Sequence, residues 1–198
     1  MRANLAVKAM LVATFLVTGA TAAEPAGAEY YPLKAGSEWR YHLVADGVTK
    51  TFESRITKIE EIDGLPLARF DAEINGEVVA TEHLRITDEG VLRYRYNGSE
   101  VTPPVCILKF PIKDGETWQS ENRVGNQDFV VRSTVSREEV DVPYGKYEAV
   151  KVTATTEQGG QLFSTTYWFA PGIGNVKQVL DLGGKKFELD LFEFTLGQ

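Results

Sequence analysis

Tyr31-Pro32-Leu33-Lys34-Ala35-Gly36-Ser37-Glu38-Trp39 is answered, 79 residues on, by Phe110-Pro111-Ile112-Lys113-Asp114-Gly115-Glu116-Thr117-Trp118. Each copy reads aromatic, Pro, aliphatic, Lys, any residue, Gly, two of any kind, Trp. Proline fixes φ and has no N–H to give a ladder, so it belongs ahead of a strand, and glycine supplies the turn that follows. The tryptophan then opens the strand and brings a large surface to bury. No polar constellation accompanies Trp39 or Trp118, so core packing accounts for both better than ligand contact does.

The echo continues past its opening motif. Phe52-Glu53-Ser54-Arg55-Ile56-Thr57 matches Phe129-Val130-Val131-Arg132-Ser133-Thr134, and Glu60-Glu61-Ile62 matches Glu138-Glu139-Val140. Leu84 to Arg93 aligns loosely with Trp168 to Lys177. The offset drifts from 79 through 77 and 78 to 84, as insertions in loops allow. A repeat of this kind, with its offset shifting between strands, predicts a duplicated unit of about five strands, hence about ten in all. The halves would be residues 30–102 and 109–198 of a single β domain spanning 30–198. Pro103-Pro104 would interrupt a ladder and mark the join, and a functional site would first be sought at that seam.

Strand signals fill the chain between these landmarks. Segments rich in Val, Thr, Ile, Phe and Tyr are separated by Asp46-Gly47, Asp63-Gly64, Asn75-Gly76, Glu89-Gly90, Asn97-Gly98, Gly159-Gly160 and Gly183-Gly184. Such pairs provide the positive φ angles of tight hairpins, and in series they predict an antiparallel meander. No segment after the N-terminal stretch shows apolar residues at helical spacing with a cap. The fold class is therefore all-β, a curved sheet or barrel-like meander with no major helix. Alternation sets Trp39, Tyr41 and Leu43 opposite Arg40 and His42. It sets Leu92, Tyr94 and Tyr96 opposite Arg93 and Arg95, and Val150, Val152 and Ala154 opposite Lys151 and Thr153. Near the end, Phe187, Leu189 and Leu191 give way to Phe192, Phe194 and Leu196, a change of phase that predicts a bulge at Leu191-Phe192.

Residues 1–23 read as a secretory signal peptide: Arg2 and Lys8, an apolar stretch from Ala9 to Val17, then small residues with cleavage expected near Ala22, Ala23 or Ala28. The apolar stretch is short for a membrane span, and no stable membrane anchor is expected after cleavage. Residues 24–29 read as a short linker. The expected location is periplasmic or extracellular. Without Arg2 and Lys8, 19 Lys and Arg face 28 Asp and Glu, a net of about −9. Basic and acidic residues are interspersed, which excludes the basic patch that nucleic acid or an anionic membrane surface rewards.

Tyr31 to Trp39, Val142-Pro143-Tyr144-Gly145-Lys146-Tyr147-Glu148-Ala149-Val150 and Thr166-Tyr167-Trp168-Phe169-Ala170-Pro171-Gly172-Ile173-Gly174 together resemble an uncharacterised group of small exported bacterial all-β proteins. The likeness covers most of the chain after residue 23, with Tyr167 to Gly174 its most specific part, and it implies no catalytic residues. A meandering sheet after a signal peptide is also similar, in architecture alone, to the half-barrel carriers of lipids and lipoproteins in bacterial envelopes. Those carriers plug the sheet with helices, which this sequence does not predict.

Catalytic chemistry is not legible. The single cysteine, Cys106, cannot form an internal disulfide and sits in the apolar run Val105 to Leu108, so a buried structural thiol is expected. His42 and His83 alternate with Arg40 and Arg85, which makes them surface residues rather than metal ligands. Neither Glu60-Glu61 nor Glu138-Glu139 is a dyad, because adjacent strand residues point to opposite faces. Gly172-Ile173-Gly174 lacks the following helix of a phosphate loop, and Asn97-Gly98-Ser99 reads as a hairpin. No catalytic residue, metal or cofactor is predicted, and the binding residues are left unknown. The expected role is a non-catalytic interaction or scaffolding protein of the envelope with an unknown protein partner. The alternative is a carrier enclosing an apolar small molecule, in a cavity lined by residues such as Tyr94, Tyr96 and Trp168.

Overall fold

Four of the predicted turns carry the mark of their sequence directly. Asp46, Asp63, Asn75 and Asn97 have φ of 50°, 53°, 54° and 47°, each followed by a glycine at 75° to 79°. Two successive positive φ angles make a type I′ turn, whose twist matches that of the strands it joins. In the computed structural model, which describes residues 25–198, these turns connect twelve strands. The first six are β1 (Glu38–Ala45), β2 (Val48–Ile62), β3 (Leu65–Ile74), β4 (Glu77–Thr87), β5 (Gly90–Tyr96) and β6 (Ser99–Lys109). The second six are β7 (Thr117–Val124), β8 (Gln127–Val142), β9 (Gly145–Gln158), β10 (Gln161–Ala170), β11 (Gly174–Leu182) and β12 (Lys186–Thr195). The signal peptide read at residues 1–23 lies outside the described residues.

Every strand pairs antiparallel with its chain neighbours, and β1 pairs with β12 to close a barrel. The all-β meander is as expected, with closure and twelve strands where about ten were predicted. Each expected turn dipeptide lies at a hairpin. The connections between β7 and β8 and between β8 and β9, at Gly125-Asn126 and Pro143-Tyr144, escaped the turn reading.

The two copies of the opening motif fold alike. Ser37 N–H donates to Lys34 O at 3.0 Å, Gly36 N–H to Ile56 O at 2.7 Å and Ile56 N–H to Ser37 O at 2.9 Å. In the second copy Glu116 N–H donates to Lys113 O at 3.1 Å, Gly115 N–H to Val135 O at 2.9 Å and Val135 N–H to Glu116 O at 3.0 Å. Each tryptophan then faces a buried serine across the ladder, Trp39 opposite Ser54 and Trp118 opposite Ser133. This constant offset of 79 aligns Phe52 with Val131, two residues from the Phe129 that the sequence suggested. The matched elements are six strands apart: β1 with β7, β2 with β8, β4 with β10, β5 with β11.

Inward and outward faces alternate largely as read. Trp39, Tyr41 and Leu43 point inward, as do Val150, Val152 and Ala154. The predicted bulge is present: Arg40 faces Glu193 and Tyr41 faces Leu191, so Phe192 has no partner on β1. Phe194 thereby turns inward onto Trp39 at 5.4 Å, while Phe192 stacks on His42 at 4.4 Å. Outside, Arg40 joins Glu53 and Glu193 at 3.2 and 2.8 Å, and Arg69 joins Asp71 at 3.0 Å. A transmembrane barrel has an apolar outward band, and this barrel carries ion pairs there. No helix among the described residues is long and apolar enough to cross a membrane.

One end of the barrel is stoppered by the segment expected to be a linker. Residues Ala28–Tyr30 form a single 3-10 turn. Gly172 N–H donates to Glu29 O at 2.7 Å, and Tyr31 packs on Phe169 at 5.5 Å. Gly27 has φ 105° and lies so close to Phe110 that a Cβ would come within 2.6 Å of the ring. This small turn, with Tyr31 and Leu33, packs against both core clusters at that end.

The seam between the halves is the thinnest part of the wall. Between β6 and β7 only Val101 with Val124 and Thr102 with Arg123 are paired, because Pro103 and Pro104 break the ladder inside β6. Side chains substitute for the missing bonds. Buried Asn122 donates through Nδ2 to Pro103 O at 2.7 Å and accepts from Ser120 Oγ at 2.7 Å. Lys109 reaches Glu116 at 2.6 Å. Asn122→Ala is expected to cost about 1–3 kcal/mol in urea unfolding by orphaning that carbonyl. Amide exchange should rise first in β6 and β7.

Candidate functional site

Strand number decides what the interior can hold. An eight-stranded barrel is just wide enough for its own side chains to fill, and diameter grows with strand number. Twelve strands therefore leave room. A cavity of about 350 Å³ lies inside, with a lobe of about 160 Å³ adjoining it. The volume of the first lies within the range of small-molecule sites.

Its walls are chiefly apolar. Leu43, Phe52, Ile74, Val79, Leu180 and Phe187 face it from strands on both sides of the β1–β12 closure. Tyr31 and Ile107 line it as well, Tyr31 reaching in from the stoppered end. The opposite end is the one where β1–β2, β3–β4, β5–β6, β7–β8, β9–β10 and β11–β12 turn. Val48, Val78, Leu162 and Leu182 are exposed there at 55%, 52%, 61% and 46%. Val79, Tyr96 and Leu182 belong both to this rim and to the cavity lining, so the rim is the mouth.

In the wall stands a half-buried ion pair. Arg93 donates from Nε to Glu82 Oε2 at 2.8 Å and from Nη2 to Glu82 Oε1 at 3.0 Å. Their side chains are 21% and 18% exposed, and both line the cavity. Arg93 also borders the smaller lobe, so it stands where the two meet. Its guanidinium stays charged: Glu82 raises its pKa against the cost of burial, and Tyr167 beside it raises it further. Burial, with Glu82 close by, pushes the Tyr31 phenol well up, and burial does the same to Tyr167, so both remain neutral hydroxyls. Tyr41 donates to Asn175 O at 2.7 Å, and burial raises its pKa too.

The expected lining residues are corrected in part. Tyr96 faces the cavity, but a bulge between Arg93 and Arg95 puts Tyr94 against Leu65 and Leu67 in an outer pocket. Arg93 thereby points in, where alternation had placed it on the polar face. Trp168 faces out, with Lys151 and Lys177 Nζ at 5.3 and 6.0 Å from its ring. It is covered together with Val176 by Val140, Val142 and Ala149 of the β8–β9 hairpin. Tyr144 N–H, at the tip of that hairpin, donates to Leu191 O at 2.9 Å. The inward neighbours Tyr167 and Phe169 were missed. Glu82 and Arg93 were missed as well, because a charged pair shared between two strands leaves no trace in either strand's pattern.

The histidines do not meet. His42 stacks on Phe192, whereas His83 Nε2 lies 2.6 Å from Glu60 Oε2 on the outer wall. His83 is buried, contrary to its expected surface position, because β3 and β5 flank it. Hydrogen bonds from Lys58 and then His83 hold the Glu60 carboxyl down at about 2, against an ordinary value of 4.5. The folded pKa is depressed, so this stabilisation is complete above about 4.5 and lost as pH falls towards about 2. Glu60→Gln should flatten the stability profile in that acid window, as read by urea midpoints across pH. Cys106 is half-buried, and burial pushes its thiol up to about 11, which keeps it protonated at neutral pH.

No family model matches the chain, and no curated protein matches it in sequence. Two solved structures share the fold. A protein from Bacteroides fragilis NCTC 9343, classed as exported and of YmcC-like fold, superposes with a TM-score of 0.51 at 13% identity, over 87% of this chain and 98% of its own. A protein from Parabacteroides distasonis ATCC 8503, classed as a lipoprotein, gives 0.54 at 10% identity, over 84% and 98%. At such identities the likeness establishes the fold alone.

Proposed function

We propose that this chain is an exported binding protein that holds a small, largely apolar molecule inside its barrel and performs no catalysis on it. The observation that carries this reading is the cavity: about 350 Å³, apolar-walled, stoppered at one end and open at an apolar rim. A scaffold needs only its outer surface and is best served by a filled core, since an internal void forfeits packing contacts. Here the void runs to the mouth, and the residues around it are large and apolar. The ionisable groups in the wall are committed to each other, Arg93 to Glu82, which favours binding over reaction. Export is supported by the signal-like residues 1–23 and by the exported and lipoprotein classes of the two fold relatives.

Native mass spectrometry of the protein purified from an exporting host tests the reading. A chloroform-extractable adduct of a few hundred daltons is expected on most molecules. Protein that is free of adduct and stays so when incubated with lipid extract would contradict it.

A further inference from the structure

The cavity wall contains two charged side chains, and they cancel. Among the described lining residues, Arg93 and Glu82 are charged and form one bidentate pair. The remaining polar lining residues carry hydroxyls or amides: Tyr31, Tyr41, Tyr96, Tyr167 and Ser54, with Asn175 and Gln178. Glu82 occupies the Nε–Nη2 edge of the guanidinium, and Tyr167, hydrogen-bonded to Arg93, stands beside it in the cavity wall. A guanidinium offers donors to a bound molecule, and the tyrosine hydroxyls can both donate and accept.

We propose that the cavity selects an uncharged single-chain amphiphile, such as a monoacylglycerol. Its hydroxyl- or carbonyl-bearing head lies at Arg93 and Tyr167, and its acyl chain runs towards the apolar mouth. This assignment rests on the ligand-binding reading given above. A charged head is disfavoured by the same geometry. A carboxylate at Arg93 would stand beside Glu82 with one cation shared between two anions. One negative charge would then remain buried without a partner, which is expensive in an enclosed site. A cationic head would meet Arg93 with Glu82 already engaged. A neutral head leaves the ion pair whole and adds hydrogen bonds to the Arg93 and Tyr167 groups that line the cavity. The chain position follows from the walls: Leu43, Val79 and Phe187 lie towards the rim, where Tyr96 is the polar exception, and Tyr31, Tyr167 and Asn175 lie towards the stoppered end.

Two ligands of equal chain length separate these cases. The protein is loaded with the uncharged fluorophore N-phenyl-1-naphthylamine and titrated at pH 8 with 1-monododecanoylglycerol or with dodecanoate, both below their micelle concentrations. The monoacylglycerol is expected to displace the fluorophore at least about tenfold more effectively, the scale of one charge left without its partner. Equal potency, or stronger displacement by dodecanoate, overturns the assignment while leaving the binding reading intact. Failure of the fluorophore and of both ligands to bind overturns the two together. Glu82→Gln removes the cancelling charge and should shift the preference towards dodecanoate by a similar factor. An unchanged preference in a folded Glu82→Gln protein overturns the electrostatic basis, and the wild-type comparison decides the matter if that variant does not fold.

Discussion

Trp39→Ala is expected to destabilise the barrel by about 3–5 kcal/mol, whereas Trp118→Ala, at the matching place in the second half, should cost less than about half of that. The difference lies in what each ring touches. Trp39 is 1% exposed, packs between Phe70 at 5.9 Å and Phe194 at 5.4 Å, and donates from Nε1 to Ile173 O at 2.6 Å. Removing it opens a void beside the β1–β12 closure and orphans a carbonyl of the β10–β11 turn. Trp118 is half-buried, and its Nε1 reaches Cys106 O only at 3.4 Å. Chemical denaturation of the two variants gives the comparison, and equal losses would mean that the halves bear load symmetrically.

Glu82→Ala should be nearly as damaging, at about 3 kcal/mol, because it leaves the Arg93 guanidinium enclosed without its counter-ion. The pair's exposure towards the cavity, 18% for Glu82 and 21% for Arg93, places the effect at the lower end of the range for buried pairs. The double variant Glu82→Leu with Arg93→Met should recover most of the loss, since apolar residues of similar volume in place of both charges are near-neutral. Urea unfolding measures all three proteins. If the single variant alone matched the wild type, cavity water would be solvating Arg93 fully, and the wall would not discriminate by charge.

Much of this architecture was legible in the chain. Aspartate-glycine and asparagine-glycine pairs at Asp46, Asp63, Asn75 and Asn97 have few alternatives to a type I′ turn, so they fixed the meander locally. The phase change at Leu191-Phe192 was readable because a bulge moves apolar residues between faces, and apolar residues are what the eye follows. The turns at Gly125-Asn126 and Pro143-Tyr144 lack that signature and were passed over, which accounts for an expectation of about ten strands where there are twelve. Closure was not readable: the pairing of Glu38 with Thr195 joins residues 157 apart through bonds that any strand can make.

The site was harder to read than the fold, for a definite reason. Alternation assigns charged residues to solvent, so it placed Arg93 outside and Tyr94 inside. Only the bulge between Arg93 and Arg95, set by pairing with β6, reverses that assignment. The sequence directed the search for a site to the seam at Pro103-Pro104. The smaller lobe lies near it, while the larger cavity is walled mostly by β1–β4, β11 and β12. Trp168 was misplaced because the β8–β9 hairpin folds back over the outside of the barrel, giving an outward residue an interior-like environment.

The most direct test of an open, ligand-holding barrel is to fill it. Ala80 faces the cavity from β4, near the rim. Titration of N-phenyl-1-naphthylamine into the wild type and into Ala80→Trp should give a saturable rise in fluorescence for the first. The second should show binding weakened by at least about tenfold, with a near-native unfolding midpoint because the added ring enters space that is already empty. Equal binding by the two proteins would contradict the account, since the fluorophore would then be held somewhere other than the barrel interior.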